Sequence, residues 1–383
     1  MKKDNTTDAF LALVSAGLWE DIKVNGEGLK VNDLPLIFSA SIDWQEVNRL
    51  AEEQSVVGLV TAGLEHVRDV KVPQEVLLQF VGQALLIEQQ NLAMNNFIGG
   101  LIEKMRQAGI NALLVKGQGV AQCYERPLWR SSGDVDFFLD AENYERAKRF
   151  LIPLASSPGH ENKLKKHYEI TIDPWLVELH GTLRCGLSAK IDREIDDIQR
   201  DTFENGRIRY WKNGDVDIPL PEANNDVIFV FTHFIKHFFK GGIGLRQVCD
   251  WCRLLWTVRD TIDKNLLEKR LSAMRLGTEW KAFAAFAVEY LGAPSDIMPL
   301  YSDEARWKKK ALKIKDFILE VGNFGHNRDL SYYSKYTYIV RKAISFGRRC
   351  EDLVRHAKIF PLDSFRFFPY MFYNGIRNAL RGE

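Results

Sequence analysis

The sequence is poor in cysteine, in long apolar runs and in net charge. Five cysteines in 383 residues are too few and too odd in number for a disulfide framework, so we expect reduced thiols. The most apolar run, residues 227–239, is interrupted by Thr232, His233, Lys236 and His237. It is too short and too polar to cross a bilayer, so no membrane span is expected.

The charges of the chain nearly cancel, with 52 Lys and Arg against 51 Asp and Glu and a net charge of +1. Binding to a long nucleic acid needs many basic contacts, so the balance argues against such a partner. The first residues are polar and contain no apolar signal core, and we therefore expect a cytoplasmic protein.

The hydrophobic pattern predicts an α+β protein in three parts. Residues 1–105 have helical periodicity, including one long helix over 73–108 that Gly99-Gly100 could bend. Residues 106–220 contain short apolar strands and form the predicted α/β core, a small mixed sheet. Residues 221–383 return to a helical pattern. The sequence therefore predicts a small sheet between N-terminal and C-terminal helical sections.

Within the core, buried strands are predicted over 110–115 and 134–139, with Asp140 as the N-cap of the following helix. Further strands are predicted over 167–172 and 175–182. Asn213-Gly214 predicts the turn of a hairpin between 207–211 and 216–220.

The most informative side chains are two aspartates on one predicted strand, Asp134 and Asp136. Residues two apart on a strand point to the same face, so both carboxylates project together and repel each other. A cation removes that repulsion, and Mg²⁺ prefers such oxygen ligands. The alternative interpretation is a solvated strand end before a helix.

Glu178 is the candidate for a third carboxylate. In the predicted strand 175–182, Trp175, Val177 and Leu179 form an apolar face, while Glu178 and His180 lie on the other. A neighbouring strand would place Glu178 beside the aspartates and complete a two-metal site. Glutamate is also common on exposed strands, and His180 could simply be half-buried.

These residues resemble the DNA polymerase β-like nucleotidyltransferase superfamily, and within it a bacterial group of uncharacterised nucleotidyltransferases. The resemblance covers about 110–252. It is carried by Lys116-Gly117, Tyr124, Arg130, the Gly133-Asp134-Val135-Asp136 motif and the Glu178-Leu179-His180 strand, and later by His233, His237, Arg246 and Asp250.

The resemblance implies a metal-dependent enzyme that moves an NMP from an NTP donor to a hydroxyl acceptor and releases pyrophosphate. Asp134, Asp136 and Glu178 would be the catalytic residues and would hold two Mg²⁺ or Mn²⁺ ions. Lys116, Gly117, Gln118, Arg130 and His180 would bind the nucleotide. The acceptor stays open between a small hydroxylated molecule, a protein hydroxyl and an RNA end.

One position departs from the superfamily pattern, because Gln118 replaces the usual serine after the turn glycine. Phosphate contact would then fall to backbone N–H groups, Lys116 and Gln118. The departure also leaves open a second function, a catalytically silent module of the same fold that binds nucleotide or a partner.

Three further patterns have competing interpretations. Gly214-Asp215-Val216-Asp217 repeats the motif letters, but its place at a hairpin turn argues against catalysis. Cys249 and Cys252 with His233 and His237 have zinc-like spacing, although core packing, or a helix covering the active-site cleft, fits them better. Residues 331–383 combine basic and aromatic side chains, which indicates either packing or a binding face.

Overall fold

The computed structural model describes residues 5–20, 38, 41–66, 71–323 and 337–380, and has the predicted α+β architecture. The N-terminal section consists of helices α1 (Thr6–Leu18), α2 (Trp44–Glu53), α3 (Val57–His66) and α4 (Gln74–Gln107). Helix α4 runs for 34 residues and continues through Gly99 and Gly100. These two glycines therefore do not end the helix.

The centre of the molecule is a five-stranded mixed sheet with strand order β1-β2-β5-β4-β3. The strands are β1 (Leu113–Val115), β2 (Asp134–Phe138), β3 (His160–Asn162), β4 (His167–Ile172) and β5 (Trp175–His180). β2 pairs in parallel with β5 and antiparallel with β1. The side chains of β2 therefore lie next to those of both neighbours.

Helices connect and cover the strands. Helix α5 (Gly117–Ala121) follows β1, and α6 (Ala141–Leu151) follows β2. The carboxylate of Asp140 accepts a hydrogen bond of 2.8 Å from the backbone N–H of Asn143, so the predicted N-cap is confirmed. Helix α7 (Ala189–Glu204) and the hairpin β6 (Ile208–Asn213) and β7 (Val216–Pro221) complete this part.

The two faces of the sheet pack into different cores. Val135, Phe137 and Val177 lie in a buried cluster with residues of α4 and α6. Val115 and Phe138 belong to the larger cluster that contains the apolar residues of the C-terminal helices. The carboxylates of β2 and β5 project from this second face, which places them at the boundary between sheet and helical section.

The C-terminal section is helical in the described residues. It comprises α8 (Ala223–Lys240), α9 (Leu245–Val258), α10 (Lys264–Met274), α11 (Gly277–Leu291), α12 (Ala305–Val321), α13 (Tyr338–Ala357) and α14 (Pro361–Leu380). Across the described part of the chain, no helix is both long and apolar enough for a membrane crossing. Parts of the predicted helical segments, among them Val67 and residues 331–336, lie outside the described residues.

Candidate active site

The two aspartates and the glutamate meet because β2 and β5 are parallel neighbours in register. Asp136 is paired directly with Glu178, and Asp134 lies two residues earlier on the same face. One carboxylate oxygen from each of the three residues lies within 4.8 Å of the others. This is the oxygen-rich arrangement that a divalent cation prefers, so the three side chains fit such an ion.

The electrostatics of the three carboxylates also favour a cation. Repulsion from Asp136, together with burial, raises the pKa of Asp134 to about 6. Burial would raise the pKa of Asp136 as well, but Lys116 and His180 outweigh it and lower that pKa. Like charges are thus held close together at a cost that a bound cation would remove.

Two histidines hold the carboxylates in place. His180 Nε2 lies 2.7 Å from Asp136 Oδ1 and 3.3 Å from Glu178 Oε2. On the neighbouring strand β4, His167 Nε2 lies 2.9 Å from Glu178 Oε2. Burial alone would raise the pKa of Glu178, but contacts with His167 and His180 lower it well below its usual range. Glu178 therefore stays ionised at neutral pH.

Lys116 occupies the turn between β1 and α5. Its φ of 57° lies in the left-handed region, and Gly117 follows with φ of 38°. This backbone directs the ammonium group to 2.6 Å from Asp136 Oδ1. Burial opposes the charge of Lys116, but Asp136 and Glu178 outweigh it and raise the pKa, so the side chain remains protonated.

Arg130 is fixed by a buried acidic partner from the C-terminal section. Its Nε and one terminal nitrogen each donate to a carboxylate oxygen of Asp250 at 2.7 Å. The Tyr124 hydroxyl donates to the same carboxylate, also at 2.7 Å. We call Arg130, Asp250 and Tyr124 the arginine clamp. It links the segment before β2 to α9 and holds the guanidinium group of Arg130 in a bidentate ion pair.

Arg246 lies close to the clamp and is less completely bonded. It donates to the carbonyl of Ser131 at 2.7 Å, while its buried Nε has no hydrogen-bond partner among the described residues. Burial and the neighbouring Arg130 lower its pKa. A buried donor of this kind is suited to an anionic oxygen that enters from the cavity.

The side chain of Gln118 lies away from this group. It is almost completely buried and donates to Asn91 Oδ1 at 2.6 Å. It is not among the residues that line the cavity described next. The structure therefore brings together Asp134, Asp136, Glu178, Lys116, Gly117, Arg130 and His180, and places Gln118 behind them.

A cavity of about 460 Å³ opens in front of the carboxylates. One wall is helix α8, whose His233, Lys236, His237 and Lys240 follow the i, i+3, i+4, i+7 spacing of one helix face. We call these four residues the α8 stripe. Tyr370, Asn374 and Arg377 of α14 form part of the rim. The site thus combines residues of the sheet with residues of two distant helices.

The paired cysteines and the hairpin aspartates do not line the cavity. Cys249 and Cys252 are fully buried, and the described residues contain no group that joins them with His233 and His237 as metal ligands. The histidines instead line the cavity, as the covering-helix interpretation expected. Asp215 and Asp217 lie in the hairpin of β6 and β7, which confirms the predicted turn.

Sequence reasoning missed His167 and the two lysines of the α8 stripe. A signal for the lysines was present, because four polar residues at helical spacing interrupt an otherwise apolar segment. No comparable signal marks His167, which is recognised only through the antiparallel pairing of His167 with His180 across β4 and β5.

The fold and the carboxylate group together are those expected of a nucleotidyltransferase. The model of the uncharacterised nucleotidyltransferase family matches residues 40–292, and the chain belongs to this family. A search of curated proteins found no match. α14 and its cavity-lining residues lie beyond the matched range.

Among solved structures, an antigenic nucleotidyltransferase-like protein from Paracoccidioides brasiliensis is similar to this chain at 12% sequence identity. The similarity covers 47% of this chain and 91% of that one. The TM-score is 0.30, which is too low for a conclusion about the fold.

Proposed function

We propose that this protein transfers an NMP from an NTP to a hydroxyl acceptor and releases pyrophosphate. The observation that carries the proposal is the meeting of Asp134, Asp136 and Glu178 on two paired strands at a cavity, in a chain of a nucleotidyltransferase family.

Four further statements remain predictions from sequence. They are the placement within the polymerase β-like superfamily, the bacterial origin, the cytoplasmic location and the division of the chain into three parts after residues 105 and 220.

Asp134, Asp136 and Glu178 would hold the divalent ions, which we propose to be two Mg²⁺ or Mn²⁺. Bound there, the metal would supply Lewis-acid activation of the acceptor hydroxyl and neutralise phosphate charge. The low pKa of Glu178 suits the role of a negatively charged metal ligand better than the role of a general base. A weakly basic carboxylate removes a proton poorly at neutral pH. His167 and His180 orient these carboxylates through the contacts described above.

The basic residues near Asp134 suit the donor phosphates. Lys116 remains protonated and lies beside the carboxylates, so its charge can offset that of a phosphate. The unpartnered Nε of Arg246 can donate to a phosphate oxygen. Arg130 is held by Asp250, so its contribution is to fix the wall of the site and to add positive charge.

The silent-module alternative is favoured by one observation, the burial of Gln118 away from the cavity. The side chain at the superfamily's serine position therefore offers no phosphate contact in this conformation. The intact carboxylate group argues for turnover, since a binding module has no need of three acids held close together against their repulsion.

The test measures pyrophosphate release from each of the four NTPs with Mg²⁺ or Mn²⁺, alongside the thermal midpoint. The wild type is compared with Asp134→Asn/Asp136→Asn. A matched control exists in this chain, because Asp215→Asn/Asp217→Asn changes the same motif letters at the exposed hairpin.

We expect one NTP to stabilise the wild type and the control in the presence of metal. Ligand at 100 times its Kd adds about 2.7 kcal/mol to stability. The Asp134→Asn/Asp136→Asn variant should lose this shift and all pyrophosphate release. Stabilisation without release across a broad acceptor set would support the silent module, and equal behaviour of all three proteins would refute the proposed site.

A further inference from the structure

The cavity contains a second positively charged region, on the side of Glu178 rather than Asp134. The charges that act on Lys236 include Lys116, Lys165 and Glu178, whereas those that act on Arg246 include Arg130, Asp250 and Asp134. The two basic groups therefore lie at different ends of the carboxylate group. The group around Arg246, at the Asp134 end, is the one assigned to the donor phosphates in the function proposed above.

Basic side chains outnumber acidic ones at the Glu178 end. Its basic side chains are Lys165, Arg184, Lys236, Lys240 and Arg377, and its acids are Glu178 and Asp192. Glu178 is already in contact with His167 and His180. Asp192 already accepts hydrogen bonds from the Gly186 N–H at 2.9 Å and the Tyr370 hydroxyl at 3.2 Å. Arg184 is paired with Asp196. Positive charge at this end is thus left without a matching acid.

Lys236 contributes one of these positive charges without an acidic partner. No carboxylate of the described residues forms an ion pair with its ammonium group, which lines the cavity from a half-buried position on α8. Lys240, one turn later, donates to the carbonyl of Cys185 at 2.5 Å, a neutral partner. Burial lowers the pKa of each of these two lysines to about 8.

Two charged lysines one helical turn apart at a cavity wall cost stability unless an anion binds them. The volume of about 460 Å³ is within the usual range for small-molecule sites of about 300–1,000 Å³. α14 narrows the opening on the same side, where Tyr370 and Asn374 add polar groups. These features favour a small ligand over a long polymer.

We propose that Lys236 and Lys240 form an anion-binding subsite for the acceptor, which is a small molecule bearing a phosphate or carboxylate group besides its reactive hydroxyl. The inference rests on the proposed nucleotidyl transfer. In that reaction the acceptor oxygen forms a bond to the α-phosphorus, pyrophosphate leaves with the electrons of the broken bond, and the hydroxyl proton is lost to solvent. The anionic group of the acceptor is bound and takes no part in these bond changes.

The test separates acceptor binding from donor binding. Calorimetry measures binding of inorganic phosphate and, separately, of succinate, with and without a non-hydrolysable NTP analogue and Mg²⁺. The variant is Lys236→Met/Lys240→Met, which removes two charges while retaining side-chain length. The control is Lys264→Met/Lys269→Met, which removes two charges from exposed positions on α10, outside the cavity.

We expect the small anion to bind the wild type and the control, and to bind the variant at least tenfold more weakly. The analogue should bind all three proteins with affinities within about twofold of each other, and the small anion should bind together with it. The phosphate and succinate titrations show which anionic group the subsite accepts.

Two results would overturn the proposal. Unchanged anion affinity in the variant would show that the lysines bind no anion. Competition between the anion and the analogue, with weaker analogue binding in the variant, would assign the lysines to the donor. If the analogue binds no protein, the proposed function fails, while the anion titrations without nucleotide still report on the lysines.

Discussion

The two ends of the cavity hold positive charge in different ways. At the Asp134 end, Arg130 forms a bidentate, buried ion pair with Asp250. At the Glu178 end, Lys236 and Lys240 are placed without an acidic partner in the described structure. A paired charge contributes to the architecture, whereas an unpaired one costs stability and is available to a ligand. The difference distinguishes a residue that builds the site from a residue that binds within it.

The largest effect on stability is expected from breaking the arginine clamp. Asp250→Asn leaves the Arg130 charge buried without its partner, so the free energy of unfolding should fall by about 3 to 5 kcal/mol. Urea unfolding followed by circular dichroism measures the change. Asp260→Asn is the control, since Asp260 is largely exposed and its 3.6 Å pair with Arg259 should contribute little. Equal losses in both variants would contradict the structural role of the clamp.

A smaller effect is expected at Arg246, which lies beside the clamp but has an unpartnered Nε. Arg246→Met should weaken binding of a non-hydrolysable NTP analogue about tenfold, the value of one charge-assisted hydrogen bond. Arg259→Met serves as the control, because Arg259 lies just after the same helix and outside the cavity. Unchanged analogue affinity in Arg246→Met would exclude this residue from donor binding.

The lysines should make anion binding depend on pH. Because burial lowers the pKa of Lys236 and Lys240 to about 8, both lose charge above that pH. The thiol of Cys185, whose pKa burial raises to about 12, does not ionise in the same range. Among the other facing groups, Lys116 and Glu178 keep their charges there. The remaining charged groups that line this end are the basic Lys165, Arg184 and Arg377 and the acidic Asp192.

Affinity for sulfate, which keeps its charge throughout, should therefore fall about tenfold between about pH 7 and 9.5. The double variant Lys236→Met/Lys240→Met should show weak binding with little dependence on pH. A wild-type affinity that stays constant through this range would show that the lysines do not provide the binding charge.

The smallest effect is a gain in stability. The pKa of Lys236 falls from 10.5 in the unfolded chain to about 8 in the fold, so its charged form destabilises the folded protein. The penalty is complete below pH 8 and disappears as the pH approaches 10.5. Lys236→Met should raise the thermal midpoint by about 1 to 3 °C at about pH 7. Near pH 10.5 it should leave the midpoint unchanged.

Lys264→Met gives the baseline for this measurement, because Lys264 is exposed on α10. A lower midpoint in Lys236→Met than in this control would mean that Lys236 stabilises the fold, contrary to the proposed binding role.

Much of the sheet could be predicted because its residues alternate. Asp134 and Asp136 face away from the buried Val135 and Phe137, as period-two patterning requires. The parallel pairing of Asp136 with Glu178 could not be derived that way, because alternation fixes the faces of a strand and leaves its neighbours undetermined. Helix α7 and strand β3 were also missed: no element was predicted over residues 189–204 or 160–162.

The helical wall of the site was harder to foresee. Lys236 and Lys240 stand in a segment dominated by Phe, Ile and Val, and this apolar composition favours an interpretation as core packing. Their common function as cavity lining depends on α8 lying over the open face of the sheet, a tertiary relation. In the C-terminal segment, Phe360 and Phe367 are packed in the core while Tyr370 and Arg377 line the cavity. The same segment thus contains both core residues and cavity-lining residues.

The contribution of α14 to the cavity also matters for the order in which the protein is made. A ribosome produces Asp134, Asp136 and Glu178 long before Tyr370, Asn374 and Arg377. The three carboxylates are therefore synthesised before one rim of their cavity. The complete binding surface is available only after Arg377 has been synthesised, so a product released before that residue would lack this rim.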